Sequence, residues 1–233
     1  MSDALPPWAS TLGTWPLLAV ALLLRVTSPA LAQAPPAAFT IAQLHYHGGG
    51  DWYANPSSLP NLLAFLREHT RIAAAEEPAR VQIMDEELFT YPYIYMTGHG
   101  NVSFSPEEVV RLRQYLEGGG FLHADDNYGM DQSFRLQISR VFPEKALVEL
   151  PPEHGIFHCH FDFPQGIPKI HEHDGKRPQA LGIFHGERLA VLYTYETDLG
   201  DGWEDEQVHS DPPEKRRAAL EMGTNIVVWA LTH

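Results

Sequence analysis

The sequence predicts an α/β fold, a three-layer α/β/α sandwich with a mostly parallel sheet. Apolar, strand-like runs alternate with amphipathic helical segments along the chain, which is typical of a parallel sheet with helices on both faces. Residues 91–129 have the strand–helix–strand order of a right-handed crossover between parallel strands. Polar, glycine-rich loops follow several predicted strands, at the edge where such sheets bind ligands.

The central unit carries the clearest local signals. Residues 93–96 are an apolar run with aromatic and β-branched members, which predicts a buried strand. Ser105, followed three residues later by Glu108, predicts a capping box at the start of a helix. Glycines at 118–120 end that helix, and the strand that begins at Phe121 leads into a second polar loop.

Before this unit, the pattern predicts a first strand at 39–46 and a second at 81–84, with a helix between them. The helix has an apolar face of four leucines: Leu59, Leu62, Leu63 and Leu66. After the unit, apolar residues at helical spacing predict a helix at 131–142, and a strand follows at 146–150.

The last third of the chain mixes regular and irregular segments. Residues 151–174 are rich in proline, glycine and histidine and have no period, so we expect a functional excursion over the sheet. A hairpin of strands follows at 182–184 and 189–195, and then an acidic, irregular stretch at 197–210. Asp211, with an acidic residue three positions later, predicts a capping box for a final helix.

The N-terminal segment predicts export. The apolar run at 17–24 is shorter than the roughly 20 residues that span a bilayer, and small residues follow it. We therefore predict a secretory signal at 1–32, a linker at 33–38 and a single α/β domain at 39–233, in a periplasmic or secreted protein. Because the first fifteen residues contain Asp3 and lack Lys and Arg, an uncleaved inner-membrane anchor near 15–26 is the alternative. Membrane contact is expected only through this segment.

The net charge limits the classes of binding partner, and the cysteine content limits the disulfides that the chain can form. The chain has 16 Lys plus Arg against 30 Asp plus Glu, a formal net charge of −14. This balance argues against nucleic acid and anionic lipid, which both attract positive charge. Cys159 is the only cysteine, so the chain forms no internal disulfide.

Asp125 and Asp126 are the sharpest candidates for chemistry. Two adjacent acids at a strand end predict a raised carboxyl pKa unless a cation or hydrogen-bond donors hold them, and such a group suits a general base or a metal ligand. A structural role is equally open, in which Asp126 caps the next helix and Asp125 accepts loop N–H groups. His99 and His123, at the same strand ends, are the candidate acids or further ligands.

The same loops supply the candidate substrate-binding residues. The N–H groups of Gly98, Gly100 and Asn101 could form a nest for an anion or oxyanion, although a tight turn requires the same glycines. The other candidates lie after the first strand and after the strand that follows the central helix: Asp51, Trp52, Asn127 and Tyr128.

Histidine is abundant, with 13 residues, most of them near strand ends or in loops. Imidazole and carboxylate together form sites for divalent metals such as zinc or manganese. His171 and His173, two apart on an extended segment, point the same way and could share such a metal with His47. No spacing equals a zinc signature such as HExxH, so histidines that bond to backbone carbonyls are the alternative.

Five sequence blocks carry a resemblance to a known family: GGDWY at 49–53, TGHGN at 97–101, GGFLHADDNYG at 119–129, PKIHEH at 168–173 and DLGDGWED at 198–205. From about Phe39 to its end, the chain resembles the domain of unknown function 4159 family. The resemblance implies a fold similar to class I glutamine amidotransferases, in an exported or membrane-associated bacterial protein.

In those amidotransferases, the strand after the central helix ends in an elbow with a nucleophilic cysteine, and a preceding glycine loop helps form the oxyanion hole. This chain has Asp125 and Asp126 at the elbow position and Gly98 and Gly100 at the loop position. The comparison therefore implies a site at the strand ends without cysteine-dependent glutamine amidotransfer.

Two functions follow from these patterns. The first is a hydrolase, metal-dependent or using carboxylate and histidine groups, with its site at the carboxyl ends of the strands. The second is a non-catalytic module of a cell-envelope complex, which contacts its ligand or protein through loop aromatics such as Tyr53 and Trp203. The expected partner is an unidentified small molecule or an envelope protein.

Overall fold

The computed structural model describes residues 38–233, in which seven strands form one sheet. The strands are β1 (Ala42–Leu44), β2 (Ala79–Val81), β3 (Tyr93–His99), β4 (Phe121–Tyr128), β5 (Val148–Glu149), β6 (Gln179–His185) and β7 (Arg188–Tyr195). Their order is β2-β1-β3-β4-β7-β6-β5, and among these described strands β6 alone runs in the opposite direction to the others. The predicted signal at 1–32 and linker at 33–38 lie outside the described residues, apart from Ala38.

Helices cover both faces of the sheet. The described helices are α1 (Ser58–His69), α2 (Pro106–Glu117), α3 (Asp131–Val141), α4 (Leu199–Gly202), α5 (Glu206–His209) and α6 (Pro213–Thr232). Leu112 of α2 and Phe134 of α3 belong to one buried core, whereas Leu62 of α1 and Ile226 of α6 belong to a second. The predicted three-layer α/β sandwich is confirmed. Among the described helices, none has the length and apolar character to span a membrane.

The predicted central crossover is also confirmed. Strands β3 and β4 are parallel neighbours, with Tyr93 opposite Phe121, and α2 connects them. At the start of α2, the Glu108 N–H donates to Ser105 Oγ at 3.2 Å, and the Ser105 N–H donates to the Glu108 carboxylate at 2.7 Å. This is the capping box that the sequence pattern predicts.

Alternation along β4 decides where its acids point. Leu122 and Ala124 belong to the core beneath α2 and α3, and Phe121 belongs to the core beneath α1 and α6. Successive strand residues face opposite sides of a sheet. Asp125 and Asp126 therefore point to opposite faces, and the two adjacent acids do not form a carboxylate pair.

Several predicted boundaries differ from the structure. Strand β1 is shorter than the predicted 39–46, and β2 precedes most of the predicted 81–84. The chain turns after Val81 because the Asp85 carboxylate accepts the Gln82 N–H at 2.7 Å. The stretch predicted to be irregular, 197–210, contains α4 and α5.

The capping box predicted at Asp211 is wrong. In the described part of the chain, α6 begins after Pro212 without a side-chain cap. The Asp211 carboxylate instead lies 2.9 Å from Nε2 of His171. The Asp211 carboxylate thus contacts a histidine 40 positions away in the chain and does not cap the adjacent helix.

Candidate functional site

The excursion and the α4–α5 segment bring together a group of possible metal ligands. His171, Asp201 and His209 each offer one ligand atom, and these atoms lie within 4.8 Å of one another. His171 Nδ1 is 3.0 Å from Asp201 Oδ2, and His209 Nε2 is 3.7 Å from the same oxygen. We call this candidate metal site the metal centre.

Buried neighbours hold two of the three residues of the metal centre, whereas His209 lies on α5, which has no buried residue. Ile170, next to His171, is buried and its N–H donates to the Thr197 carbonyl at 2.8 Å. Trp203, two residues after Asp201, is completely buried, and its indole N–H donates to the Ala219 carbonyl at 2.7 Å. Apolar burial and hydrogen bonds fix the segments that carry His171 and Asp201. These two side chains are therefore positioned by the core and not by loop contacts alone.

More carboxylates surround the metal centre. Asp211 lies on the far side of His171, 2.9 Å from Nε2. Glu204 lies 3.8 Å from Nε2 of His209. The hydrogen bond with Asp201 raises the pKa of His171 above its ordinary value, and Asp211 adds to this shift. Burial opposes a low pKa at Asp201, but its hydrogen bond with His171 and the charge of His209 lower it.

Asp198 is the most unusual carboxyl group beside the metal centre. It is completely buried, and within the described residues neither of its oxygens has a hydrogen-bond partner. Nε2 of His173 contacts Oδ2 without hydrogen-bonding geometry, and Nδ1 of His171 is 3.9 Å away. Burial, followed by the charge of Asp125, raises the pKa of Asp198 to about 9.

The backbone around Asp198 is strained as well. Asp198 has φ 55° and Glu196 has φ 58°, both in the left-handed region that non-glycine residues rarely adopt. Both side chains are buried. Strained, buried polar residues concentrate at functional sites, where surrounding structure offsets their cost.

Asp125 supports the metal centre through a hydrogen bond to α4, the helix that contains Asp201. Its Oδ2 accepts the Gly200 N–H at 2.7 Å and the Tyr95 hydroxyl at 3.4 Å. Its Oδ1 accepts from the hydroxyls of Thr194 and Thr197. Burial raises the pKa of Asp125 to about 6. With no exposed surface, Asp125 holds α4 in place, as in the structural alternative that the sequence left open.

Asp126 points to the other face of β4. It accepts the Met130 N–H at 2.9 Å and the Tyr193 hydroxyl at 3.2 Å. Burial raises the pKa of Asp126 to about 6. The Met130 contact connects the start of α3 to β4. Asp126 therefore has a structural role at the start of the next helix, the alternative that the sequence left open.

His123 does not fit the predicted role of acid or ligand. Its side chain is completely buried, and both ring nitrogens have partners: Nδ1 is 2.8 Å from the Tyr93 hydroxyl and Nε2 is 3.0 Å from Thr194 Oγ1. Burial lowers the pKa of His123 to about 3, so the imidazole is neutral at physiological pH.

His99 lies beside Asp51, one of the predicted substrate-binding residues. Its Nδ1 is 3.0 Å from Asp51 Oδ2, and its backbone N–H donates to the same carboxylate. The Gly100 N–H donates to the Tyr128 carbonyl at 3.4 Å, and the Asn101 carbonyl accepts from Gly50. The Gly100 N–H already has an acceptor inside the protein, so it is not free for the predicted anion nest.

The remaining predicted residues are spread along the same edge. His47 is exposed and lies 3.8 Å from the Glu108 carboxylate, so among the described residues it is not part of the metal centre. Trp52 is partly buried and stacks on His45, with ring centroids 4.2 Å apart. Tyr128 is 52% exposed, and its ring lies 5.0 Å from the His173 ring.

A cavity of about 320 Å³ lies at the carboxyl end of β4, and none of the three residues of the metal centre lines it. Its wall includes Asp126, Asn127 and Tyr128 from the end of β4, and His173 and Glu196 from the opposite side. His173 therefore borders both this cavity and Asp198. We call it the strand-end cavity. A larger groove of about 650 Å³, beside the ends of α1 and α6, contains none of the predicted site residues.

The family model described as "Domain of unknown function (DUF4159)" matches residues 40–231. The chain belongs to the DUF4159 family. No curated protein matches the chain. Membership therefore supplies no activity, and the function of this DUF4159 domain has to be argued from its site.

Sequence reasoning did not single out Asp201 and His209 as candidate metal ligands. The acid density of 198–205 is evident in the sequence, but its spacing matches no metal motif. The partner, His171, precedes Asp201 by 30 positions and meets it only through the folded excursion. Of the predicted metal ligands, the structure brings His171 into the centre and His173 to its border.

Proposed function

We propose that this DUF4159 domain binds a divalent metal ion and is a metal-dependent hydrolase. The observation that carries the proposal is the metal centre, in which three side chains from separate segments place ligand atoms within 4.8 Å. Two imidazoles and one carboxylate are a common set of protein ligands in catalytic zinc sites, which keep a further position open. Manganese also accepts nitrogen and oxygen ligands.

The surroundings of His171 support a metal ligand. Metal-binding histidines usually donate their other ring N–H to a carboxylate, which fixes the tautomer. Asp211 lies in that position, 2.9 Å from Nε2, so a neutral His171 would present the lone pair of Nδ1 toward Asp201. The unpartnered Asp198 carboxyl adds an acid whose burial a nearby cation would offset.

A bound divalent ion would supply an activated water and polarise a substrate oxygen. The chain's own residues position this chemistry. Asp211 orients His171, and Asp125 holds the N-terminal turn of α4 that leads to Asp201. His173 lines the strand-end cavity and contacts Asp198, and burial lowers the pKa of its ring.

The test is the metal content of the full chain, purified without chelator, beside His209→Ala and His185→Ala. His185 is an exposed histidine of the β6–β7 turn and serves as the matched control. We expect about one zinc or manganese per chain in the parent and in His185→Ala, and a loss in His209→Ala. A parent without metal, or a His209→Ala variant that keeps it, would refute the proposed centre.

Hydrolysis is tested separately on the same preparations. A panel of ester, phosphoester, glycoside and amide substrates should show turnover that the parent and His185→Ala share and that His209→Ala loses. Turnover that survives in His209→Ala would assign the activity to another site.

A second function is favoured by exposed aromatics at the same edge. Tyr53 is 63% exposed and Tyr128 is 52% exposed, whereas Trp203 is in the core and unavailable for contacts. Exposed aromatic side chains commonly anchor interfaces. If the domain is a binding module of an envelope complex, Tyr53→Ala should weaken crosslinking to its partner in cells without changing the metal content.

We also propose that the protein is exported, as the apolar run at 17–24 suggests. Mass spectrometry of the mature protein would detect an N-terminus at Gln33 if the signal is cleaved. An intact N-terminus in the membrane fraction would support the inner-membrane anchor, and an intact N-terminus in the cytosol would contradict export.

A further inference from the structure

The charges around the strand-end cavity select against an anionic ligand. Four acids line it: Asp126, Asp131, Asp174 and Glu196. The one lysine among the described residues that line it, Lys176, donates to the Tyr195 hydroxyl at 2.6 Å and lies 3.4 Å from Asp174. An anion entering the cavity would therefore meet carboxylates and a lysine that already has two partners.

The cations behind the wall are also paired. Lys169 lies 3.1 Å from the Glu196 carboxylate, and Arg135 lies 2.6 Å from the Asp131 carboxylate. These pairs neutralise much of the acidic charge, so the cavity offers no strong attraction for a cationic ligand either. The charge balance favours an uncharged ligand.

The polar atoms of the wall are mostly hydrogen-bond acceptors. Carboxylates accept only, and the amides of Asn127 and Gln132 add carbonyl oxygens together with N–H donors. A ligand with many hydroxyl groups matches such a wall, because each hydroxyl donates one hydrogen bond and can also accept one.

Tyr128 supplies an apolar surface at the same cavity. Its ring is half exposed, and its centroid lies 5.0 Å from that of the His173 ring. An aromatic face beside polar groups suits a ligand with one C–H face and a hydroxyl-bearing rim. A volume of about 320 Å³ lies at the lower end of the range for ligand pockets, which fits one or two sugar rings.

We propose that the strand-end cavity binds an uncharged carbohydrate, with one ring face on Tyr128 and its hydroxyls on the acidic and amide wall. This inference rests on the proposed function in one respect, because it makes a neutral glycan or glycoconjugate the substrate that the metal centre hydrolyses. The binding itself requires only the cavity.

The test is binding of the full chain to an array of neutral and acidic glycans, followed by titration with the neutral glycan that gives the strongest signal. Tyr128→Ala is compared with Tyr53→Ala, an equally exposed tyrosine outside the cavity wall. We expect neutral glycans to bind, uronate and sialylated ones to be excluded, and Tyr128→Ala to weaken binding about five- to tenfold. Tyr53→Ala should bind as the parent does.

Three results would overturn the inference: no glycan binds, acidic glycans bind as well as neutral ones, or Tyr53→Ala weakens binding as much as Tyr128→Ala. The same titration with His209→Ala separates the two proposals. Glycan binding that persists in a metal-free His209→Ala protein supports the cavity. A parent that holds no metal but binds neutral glycans contradicts the proposed function and leaves the binding inference standing.

Discussion

A single buried acid, Asp198, lowers the folding stability of this domain. Its two oxygens have no hydrogen-bond partner among the described residues, and its backbone is left-handed. Burying an unpartnered polar group costs about 1–3 kcal/mol, and a strained backbone adds to the cost. Such a residue persists where function requires it, and here the function we assign is support of a nearby cation.

Asp198→Asn should therefore stabilise the metal-free protein by about 2–4 kcal/mol at pH 7, because a carboxyl with a pKa of about 9 must take up a proton on folding and asparagine need not. Asparagine also tolerates the left-handed region. Urea unfolding of chelator-treated protein at pH 7 measures the difference. Glu153→Gln, a change at an exposed acid, is the control. A less stable Asp198→Asn protein would show that the carboxyl has a stabilising partner.

Asp126 gives a prediction about pH. Burial raises its pKa from 3.8 to about 6 in the folded protein, so the folded state keeps this proton to a higher pH than the unfolded chain does. Its contribution to folding is thus complete below about pH 4 and is lost as pH rises through 6. Relative to the parent, Asp126→Asn should gain about 2–3 kcal/mol between pH 4 and pH 7.

Urea unfolding of Asp126→Asn and the parent at both pH values tests this prediction, again with Glu153→Gln beside them. A stability difference that stays constant with pH would mean that Asp126 titrates normally in the folded protein.

For single residues, the sequence predicted that acids and histidines lie at the carboxyl ends of the strands, but it did not predict which histidine contacts which acid. Raised pKa values at Asp125 and Asp126 follow from their predicted burial at a strand end. Their opposite orientation follows from strand alternation and was available from the sequence. The His171–Asp201 contact was not, because it depends on how an aperiodic excursion folds.

Among the elements, β3, β4, β7 and α4 are joined by a chain of buried hydrogen bonds. Tyr93 bonds to His123, His123 to Thr194, Thr194 to Asp125, and Asp125 to the Gly200 N–H. An ionised Asp125 can only accept, so Thr194 donates to it and receives the Nε2–H of His123. Nδ1 then accepts from Tyr93. His123 is thus a positioning residue for the segment that carries Asp201.

A double-mutant cycle with Tyr93→Phe and His123→Leu tests this chain of bonds. His123→Leu alone leaves the Tyr93 hydroxyl buried without a partner, which costs about 1–3 kcal/mol. In the Tyr93→Phe background that penalty is absent, so we expect a coupling free energy of about 1 kcal/mol from urea unfolding of the four proteins. Additive effects would show that the two side chains do not interact.

The two predicted capping boxes show what local patterns can establish. Ser105 forms its box with a residue of the same helical turn, because its Oγ accepts the Glu108 N–H and the Glu108 carboxylate accepts the Ser105 N–H. Asp211 has the same spacing, but His171 takes its carboxylate. A local signal holds until a distant side chain competes, and the sequence alone does not show that competition.

At the scale of the whole molecule, strand order explains why the site is at this edge. Strand β1 is flanked by β2 and β3, so the chain reverses its direction across the sheet after β2. Parallel strands direct their carboxyl ends to one edge, and the segments after β4 and β7 add their acids there. The alternation of strands and helices made this architecture predictable. The three residues of the metal centre were not predictable in the same way.

Removing the metal should lower the stability of the whole domain. An ion present at about 100 times its dissociation constant contributes about 2.7 kcal/mol, which for a domain of this size corresponds to roughly 5–10 °C in Tm. Thermal unfolding with and without chelator measures the shift, and His209→Ala should show none. An equal shift in both proteins would place the ion elsewhere.

The most direct test of the central claim is anomalous X-ray diffraction from crystals of the full chain grown with zinc. We predict one anomalous peak about 2.0–2.2 Å from His171 Nδ1, Asp201 Oδ2 and His209 Nε2. Crystals that show no peak there, or a peak on other residues, would contradict the metal centre and with it the proposed hydrolase.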